Sequence, residues 1–338
     1  MLSAVLISGG LQVTIDAFGG YTVLVQGEAW LHSAPPFHLD QTEPLVVSGA
    51  IPRFISGEDR LGAYDAVELL WRASPDGPDL IATTFAAYRS SNEPADALRF
   101  TQTWLNDTDI ASSRLINTSS LSSTGIPLGR FPSWVVPPPS GGKARTSSST
   151  PQLNVYRWGG CQLQYSGRSA WSTDAFVAHG GQTSMPIVLY SNNSDTAQSQ
   201  GSAVAIGPAG PYFFTAVHAT LGEEGGRIAF AAGPMASLHL VPKLYGHSTL
   251  VVRARRGSSG GVNTAMAAYG AQLRALAGTV KPARFDARAS FVLSHLGYWV
   301  DNGAPCVTSC SRALHLFFSL TSERSTKLLR AMAAGITI

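Results

Sequence analysis

The sequence predicts a mainly β protein built as one large antiparallel sandwich, and three observations carry that expectation. Apolar residues recur at every second position through much of the first 255 residues. Gly (34) and Pro (20) together exceed the usual share of ~12% and punctuate these runs. Charged residues make up 13%, about half the usual ~25%. Short alternating runs with turns and almost no helix between them bury one face each, which two packed sheets satisfy.

The elements follow in chain order. Leu11, Val13 and Ile15 alternate with Gln12 and Thr14, and Gly19-Gly20 turns the chain into Tyr21–Val25. Strands are expected at Val67–Trp71 and Leu80–Phe85. Leu98, Phe100 and Trp104 take one face of a further strand, Gln102 interrupting, with Arg99, Thr101 and Thr103 on the other. Further strands are expected at Val155–Trp158, Cys161–Tyr165, Ile187–Tyr190, Pro211–Val217, Arg227–Ala231 and Leu250–Arg255. Residues 136–151, rich in Pro, Ser and Gly, read as a flexible insert.

The sandwich is expected to span residues 1–255, followed by a linker over 256–290. That linker holds the first convincing helix, 264–277. Asn263 is placed as its cap, Met266, Tyr269, Leu273 and Leu276 form its stripe, and Gly278 stops it. After Lys281-Pro282 comes Phe291–Ala304, read as a strand ending in Asp301-Asn302-Gly303. Aromatics beside a carboxylate and an amide grip sugars: the rings cover an apolar pyranose face, and Asp and Asn take the hydroxyls. An Asp-Asn-Gly tip suits the first strand of a (β/α)8 barrel, whose strand ends line a pocket. Residues 305–338 change character and read as a divergent, helical tail with Leu316, Phe317, Phe318 and Leu320 lacking an obvious cover.

Other chemistries find little support. A formal charge of +3 and the absence of a Lys/Arg block argue against nucleic acid; Arg253-Ala254-Arg255-Arg256 reads as solvated arginines at a strand end. Cys161, Cys306 and Cys310 make neither a disulfide framework nor a zinc site. No stretch is long and apolar enough for a membrane span, and the first seven residues lack the basic start of a signal peptide. Sequons at Asn106, Asn117 and Asn192 hint weakly at secretion. There is no Gly-x-Ser-x-Gly elbow, and no Gly-x-Gly-x-x-Gly opens a helix, so no cofactor is indicated. Gly57–Tyr64 reads as a turn in which Asp59 caps local amides, against a role as ligand or base. Phe131-Pro132-Ser133-Trp134 reads as core packing at a sheet corner, with sugar stacking as the alternative.

The junction Gly270-Ala271-Gln272-Leu273, Gly278-Thr279-Val280-Lys281 and Leu296-Gly297-Tyr298-Trp299-Val300-Asp301-Asn302-Gly303-Ala304 resembles the clan of glycoside hydrolases that contains raffinose synthase and α-galactosidases of the same type. Gly57–Gly62 with Trp71, Phe131–Trp134 and Val241-Pro242-Lys243 look like its sandwich segments, so the similarity runs over about residues 10–304. The resemblance implies a galactose-mutarotase-like supersandwich followed by a (β/α)8 barrel, and a retaining α-glycosidase or galactosyl transferase acting on oligosaccharides. Asp301 would hold sugar in the reactive subsite, with Trp299 beside it and Asn302 as a further substrate-binding residue. The family's nucleophile and acid/base lie on later barrel strands, and Glu323 is the only acidic residue after Ala304. The expectation is therefore a truncated barrel, no catalytic residue in this chain, and no activity by itself. Two readings stand beside it: a non-catalytic carbohydrate-binding sandwich that stacks sugars on Trp134, Trp158 or Trp171, and a structural or partner-docking sandwich.

Overall fold

Strict alternation shapes the first sheet. β1 (Ala4–Ser8), β2 (Leu11–Ile15), β3 (Tyr21–Val25) and β4 (Glu28–His32) form an antiparallel meander. Leu6, Leu11, Val13, Ile15 and Val23 point into the core, whereas Val5 and Ile7 of the edge strand face out. A computed structural model of the chain describes residues 4–33, 45–48, 52–89, 95–109, 131–136, 153–158, 166–171, 182–183, 186–191, 202–210, 215–221, 228–234, 240–255 and 261–279. All of them belong to one of the two units into which the chain divides, Met1–Val280.

The remaining strands are β5 (Val46–Val47), β6 (Arg53–Asp59), β7 (Gly62–Arg72), β8 (Asp79–Tyr88), β9 (Ala95–Trp104), β10 (Thr108–Asp109), β11 (Ser133–Val136), β12 (Leu153–Trp158), β13 (Ser166–Ala170), β14 (Gln182–Thr183), β15 (Ile187–Ser191), β16 (Ala203–Gly210), β17 (Thr215–Leu221), β18 (Ile228–Pro234), β19 (Leu240–Val241) and β20 (Gly246–Ala254). A ten-stranded sheet runs β13-β12-β15-β16-β20-β9-β8-β7-β5, with β6 also paired to β7. A second four-stranded sheet runs β11-β18-β17-β14, and β10 pairs with β19. Every pairing among the described residues is antiparallel, as the alternating pattern requires.

The layers follow from which face each strand makes apolar. Val67, Leu69, Trp71, Phe85, Phe100 and Val251 share one face of the ten-stranded sheet. They pack in a single core with the buried sides of both four-stranded sheets. Tyr21, Phe85, Phe100 and Phe131 meet edge-on or tilted, at 5.1 to 6.0 Å between centroids. Trp134 carries that contact from Phe100 to Phe230. The opposite face bears Ala97, Val188, Ala205, Leu250 and Val252. It is covered by helix α1 (Val262–Ala277) through Ala265, Ala268 and Tyr269.

Helix α1 departs from expectation at its start. It begins at Val262 rather than Thr264. Asn263 is exposed inside its first turn, and the N-cap is Gly261 in extended conformation with no side-chain cap. The backbone closes that turn instead, Ala265 N donating to Gly261 O at 3.0 Å. The packed stripe is also turned by about one residue from the expected one. Small alanines let the helix sit close, while Met266, Leu273 and Leu276 are only half-buried. Gly207 of β16 lies under Tyr269, where an added Cβ would stand 2.6 Å from the phenol oxygen. Gly278 stops the helix as expected, at φ 66, its N–H reaching Ala275 O.

Strands at β2, β3, β7, β8, β9, β12, β15, β18 and β20 lie where the alternation places them. Of the strand expected at Pro211–Val217, residues 215–217 open β17 and 211–214 lie outside the described residues, while β16 was not expected. The expected Cys161–Tyr165 strand, the insert beyond Val136, and everything from Val280 onward lie outside the described residues.

Two buried polar ties fix the layers. The first holds β11 in the core. Phe131 N donates to Gln102 Oε1 at 3.1 Å, and His247 Nε2 bonds Phe131 O at 2.8 Å. Tyr21 Oη both donates to Ser133 O and accepts from Ser133 N, at 2.8 Å each. Phe131 and Trp134 are thus core residues at a sheet corner, as the packing reading had it. The second tie is Asp96, with its side chain only 2% exposed. Its Oδ2 accepts from Gly10 N and Arg253 Nη1, both at 2.9 Å, and its Oδ1 accepts from Arg255 Nε at 2.8 Å. Arg253 is therefore not a solvated strand end: the β1–β2 turn folds over it and presents a carboxylate-bound amide. A Cβ at Gly9 (φ +55) would strike the Asp96 carboxylate.

Asp96→Ala should cost about 3–5 kcal/mol in chemical denaturation, because two guanidinium groups lose their buried counter-charge. Burial pushes His247 down from 6.5 to about 4, against a smaller upward pull from its bond to Phe131. Between those values the unfolded chain binds more protons. Stability is then full above pH 6.5 and falls by on the order of 3 kcal/mol as pH drops to 4. His247→Gln should remove that part of the pH dependence in thermal melts across the range.

Candidate functional site

Trp299, Asp301 and Asn302, the residues expected to hold sugar, lie outside the described residues. Of the three tryptophans proposed as stacking platforms, Trp134 and Trp171 are buried, at 0% and 6% exposure, and cannot receive a ligand face; the side chain of Trp158 lies outside the described residues. Among the sequons, Asn106 is half-buried and its Nδ2 donates to Asp79 O at 3.0 Å; Asn117 and Asn192 lie outside. No group of three or more His, Cys, Asp or Glu side chains forms a metal-binding cluster among the described residues.

The described residue set with the richest chemistry sits where the β6–β7 hairpin meets β8 and β9. The hairpin turns at Arg60-Leu61, with Gly62 at φ 110. Asp59 Oδ1 accepts from Leu61 N at 2.8 Å, the turn-capping role read from the sequence. Its other oxygen does more: Oδ2 accepts from Tyr88 Oη at 2.8 Å and pairs with Arg99 Nη1 at 2.7 Å. The Arg99 guanidinium lies over the rings of Tyr64 and Tyr88, 5.9 and 5.6 Å from their centroids. Tyr64 and Tyr88 are directly paired across β7 and β8 and meet edge-on. The neighbouring Arg60 Nη1 donates to Leu276 O at 2.9 Å, placing a cation at the negative C-terminal end of α1.

The Tyr88 phenol is pushed well above its ordinary range, first by burial; the nearby Arg99 charge pulls the other way. It stays a hydrogen-bond donor to Asp59. Asp59 and Arg99 remain about a quarter exposed, at 25% and 23%. The group can therefore accept from or donate to a neutral hydroxylated ligand at its rim. With its phenol so raised, Tyr88 is poorly suited to deliver a proton. Sequence reasoning placed Arg99 on the polar face of its strand but had no signal linking it to Asp59, 40 positions earlier.

Several other carboxylates among the described residues are also held by arginine. Arg89 and Ser56 hold Asp65 at about 2, the hydrogen bond from Arg89 counting most. The hydrogen bond from Arg72 lowers Asp79, and Arg53 reaches Glu68 at 3.1 Å. Arginine thus favours the anion at Asp65 and Asp79, whereas a general acid needs its carboxyl raised.

No family model matches the chain, and no curated protein matches it in sequence. Solved structures do. A glycoside hydrolase family 97 enzyme from Pseudoalteromonas sp., in complex with acarbose, is similar at a TM-score of 0.43 and 12% identity, over 75% of this chain and 35% of that one. The family 36 α-galactosidase AgaA from Geobacillus stearothermophilus is similar at 0.41 and 10%, over 79% of this chain and 42% of that one. A galactose mutarotase-like protein from Lactobacillus casei is similar at 0.36 and 9%, over 75% of this chain and all of that one. The chain spans about a third of the length of the family 97 enzyme it matches.

Asp59→Ala leaves the Tyr88 hydroxyl without its acceptor and Arg99 without its counter-charge. A loss of about 1–3 kcal/mol is expected, read as a lower denaturant midpoint at unchanged slope.

Proposed function

We propose that this chain carries the β-sandwich of a protein of the glycoside hydrolase clan that holds raffinose synthase and related α-galactosidases, that its ligands are α-galactoside oligosaccharides, and that the sandwich has no catalytic role. The observation that carries the reading is the junction. Helix α1 packs on the free face of the ten-stranded sheet and ends at Gly278. The sequence then proceeds through Thr279-Val280-Lys281 to Tyr298-Trp299-Val300-Asp301-Asn302-Gly303, the order in which the resembling family passes from sandwich to barrel. In this reading Asp301 and Asn302 take sugar hydroxyls and Trp299 covers a pyranose face. Support for a non-catalytic sandwich comes from its carboxylates: Asp59, Asp65, Glu68, Asp79 and Asp96 are each engaged by an arginine. A retaining glycosidase needs two carboxyl groups facing each other across the scissile bond, one of them protonated.

Raffinose should change the intrinsic tryptophan fluorescence of the full chain, and Trp299→Phe or Asp301→Ala should abolish that change. Aryl α-galactosides should not be turned over. Robust turnover lost in Asp301→Ala would overturn the reading of this chain as inactive by itself, and silence toward every galactoside would overturn the sugar-binding one.

A further inference from the structure

The core between β20, β9 and β11 leaves donors and acceptors of opposite kinds unpaired. His247 and Thr249 are two residues apart on β20 and face the same side, opposite Gln102 and Phe100 of β9. A carbonyl can only accept, so the bond to Phe131 O puts the His247 proton on Nε2 and leaves Nδ1 as a bare lone pair. Nδ1 is buried and has no hydrogen-bond partner, and the same holds for Thr249 Oγ1. Across the core, the Trp134 ring packs on Phe100, the residue directly paired with Thr249, at 5.7 Å. Trp134 Nε1 is a buried donor that also lacks a partner.

Buried polar groups are almost always satisfied, and each exception calls for an explanation. Nδ1 needs a donor, the indole N–H needs an acceptor, and the hydroxyl can be either. These groups are neutral, since burial holds the imidazole unprotonated, so no ion is called for. The missing partner must be small, uncharged, and both donor and acceptor. The two residues stand about 6–7 Å apart at their Cα atoms and share a face, so their side chains can lean toward one small molecule that bonds both.

We propose that the sandwich core holds a permanently bound water, donating to His247 Nδ1 and bonded to Thr249 Oγ1. It completes the grip of β20 on β11: one ring nitrogen of His247 holds the Phe131 backbone directly, and the other is held in place through water.

The test exploits the sign of one substitution. Thr249→Val keeps the shape and removes only the hydroxyl. If the hydroxyl binds water, the variant forfeits that bond and its Tm falls by a few degrees. If the hydroxyl is an orphan in a dry core, removing it relieves a penalty and Tm stays or rises, which would overturn the proposal. A high-resolution crystal structure of the unmodified chain supplies the second readout, free of any folding defect in the variant. A water peak within hydrogen-bonding distance of both His247 Nδ1 and Thr249 Oγ1 is expected, and side chains closing that space with no peak would refute it.

Discussion

Burying the backbone of residues 131–134 is the constraint on which the architecture turns. β11 brings the second four-stranded sheet against the ten-stranded one, and a bridge between Ser33 and Trp134 helps join it to the first. A peptide group in that position must find partners. β11 pairs with β18 on one side. Toward the core, side chains stand in for a strand. Gln102 and His247 take the amide and carbonyl of Phe131, and one tyrosine hydroxyl serves both groups of Ser133. These three side chains come from β3, β9 and β20, so the corner exists only when both larger elements are already in place.

Much of this was legible in the sequence, for a plain reason. Alternation reports which face of a strand is buried, so β2, β3 and β9 could be read directly from Leu11-Gln12-Val13 and its like. Gly278 likewise announced the helix stop, because left-handed backbone favours glycine. What escaped reading had no local signal. β16, Ala-Val-Ala-Ile-Gly-Pro-Ala-Gly, has weak strand propensity and is held by its neighbours and by α1. The partition of the described strands into four sheets is a matter of which distant pieces meet. Long-range polar ties escaped for the same reason: Asp96 with Arg253, and Asp59 with Arg99, are separated by strands that carry no mark of the pairing. For Trp299, Asp301 and Asn302, proposed to hold sugar, the sequence motif is the whole basis.

The sandwich thus treats its charges in one consistent way. Few are present, and Asp59, Asp65, Glu68, Asp79 and Asp96 are each held by an arginine. The outer face repeats the pattern with tyrosines added, Arg99 lying on Tyr64 and Tyr88 while gripping Asp59.

The seam between β9 and β20 has a cost during biosynthesis. The Asp96–Arg253 tie across it joins positions 157 residues apart. As the polypeptide leaves the ribosome, β9 emerges early and must wait, its open edge and aromatic side chains uncovered, until the far half of that seam is translated. Closure of such distant contacts is slow. A nascent chain of this kind would depend on chaperone protection over that interval, and premature termination before β20 would release a sticky, unfinished sheet.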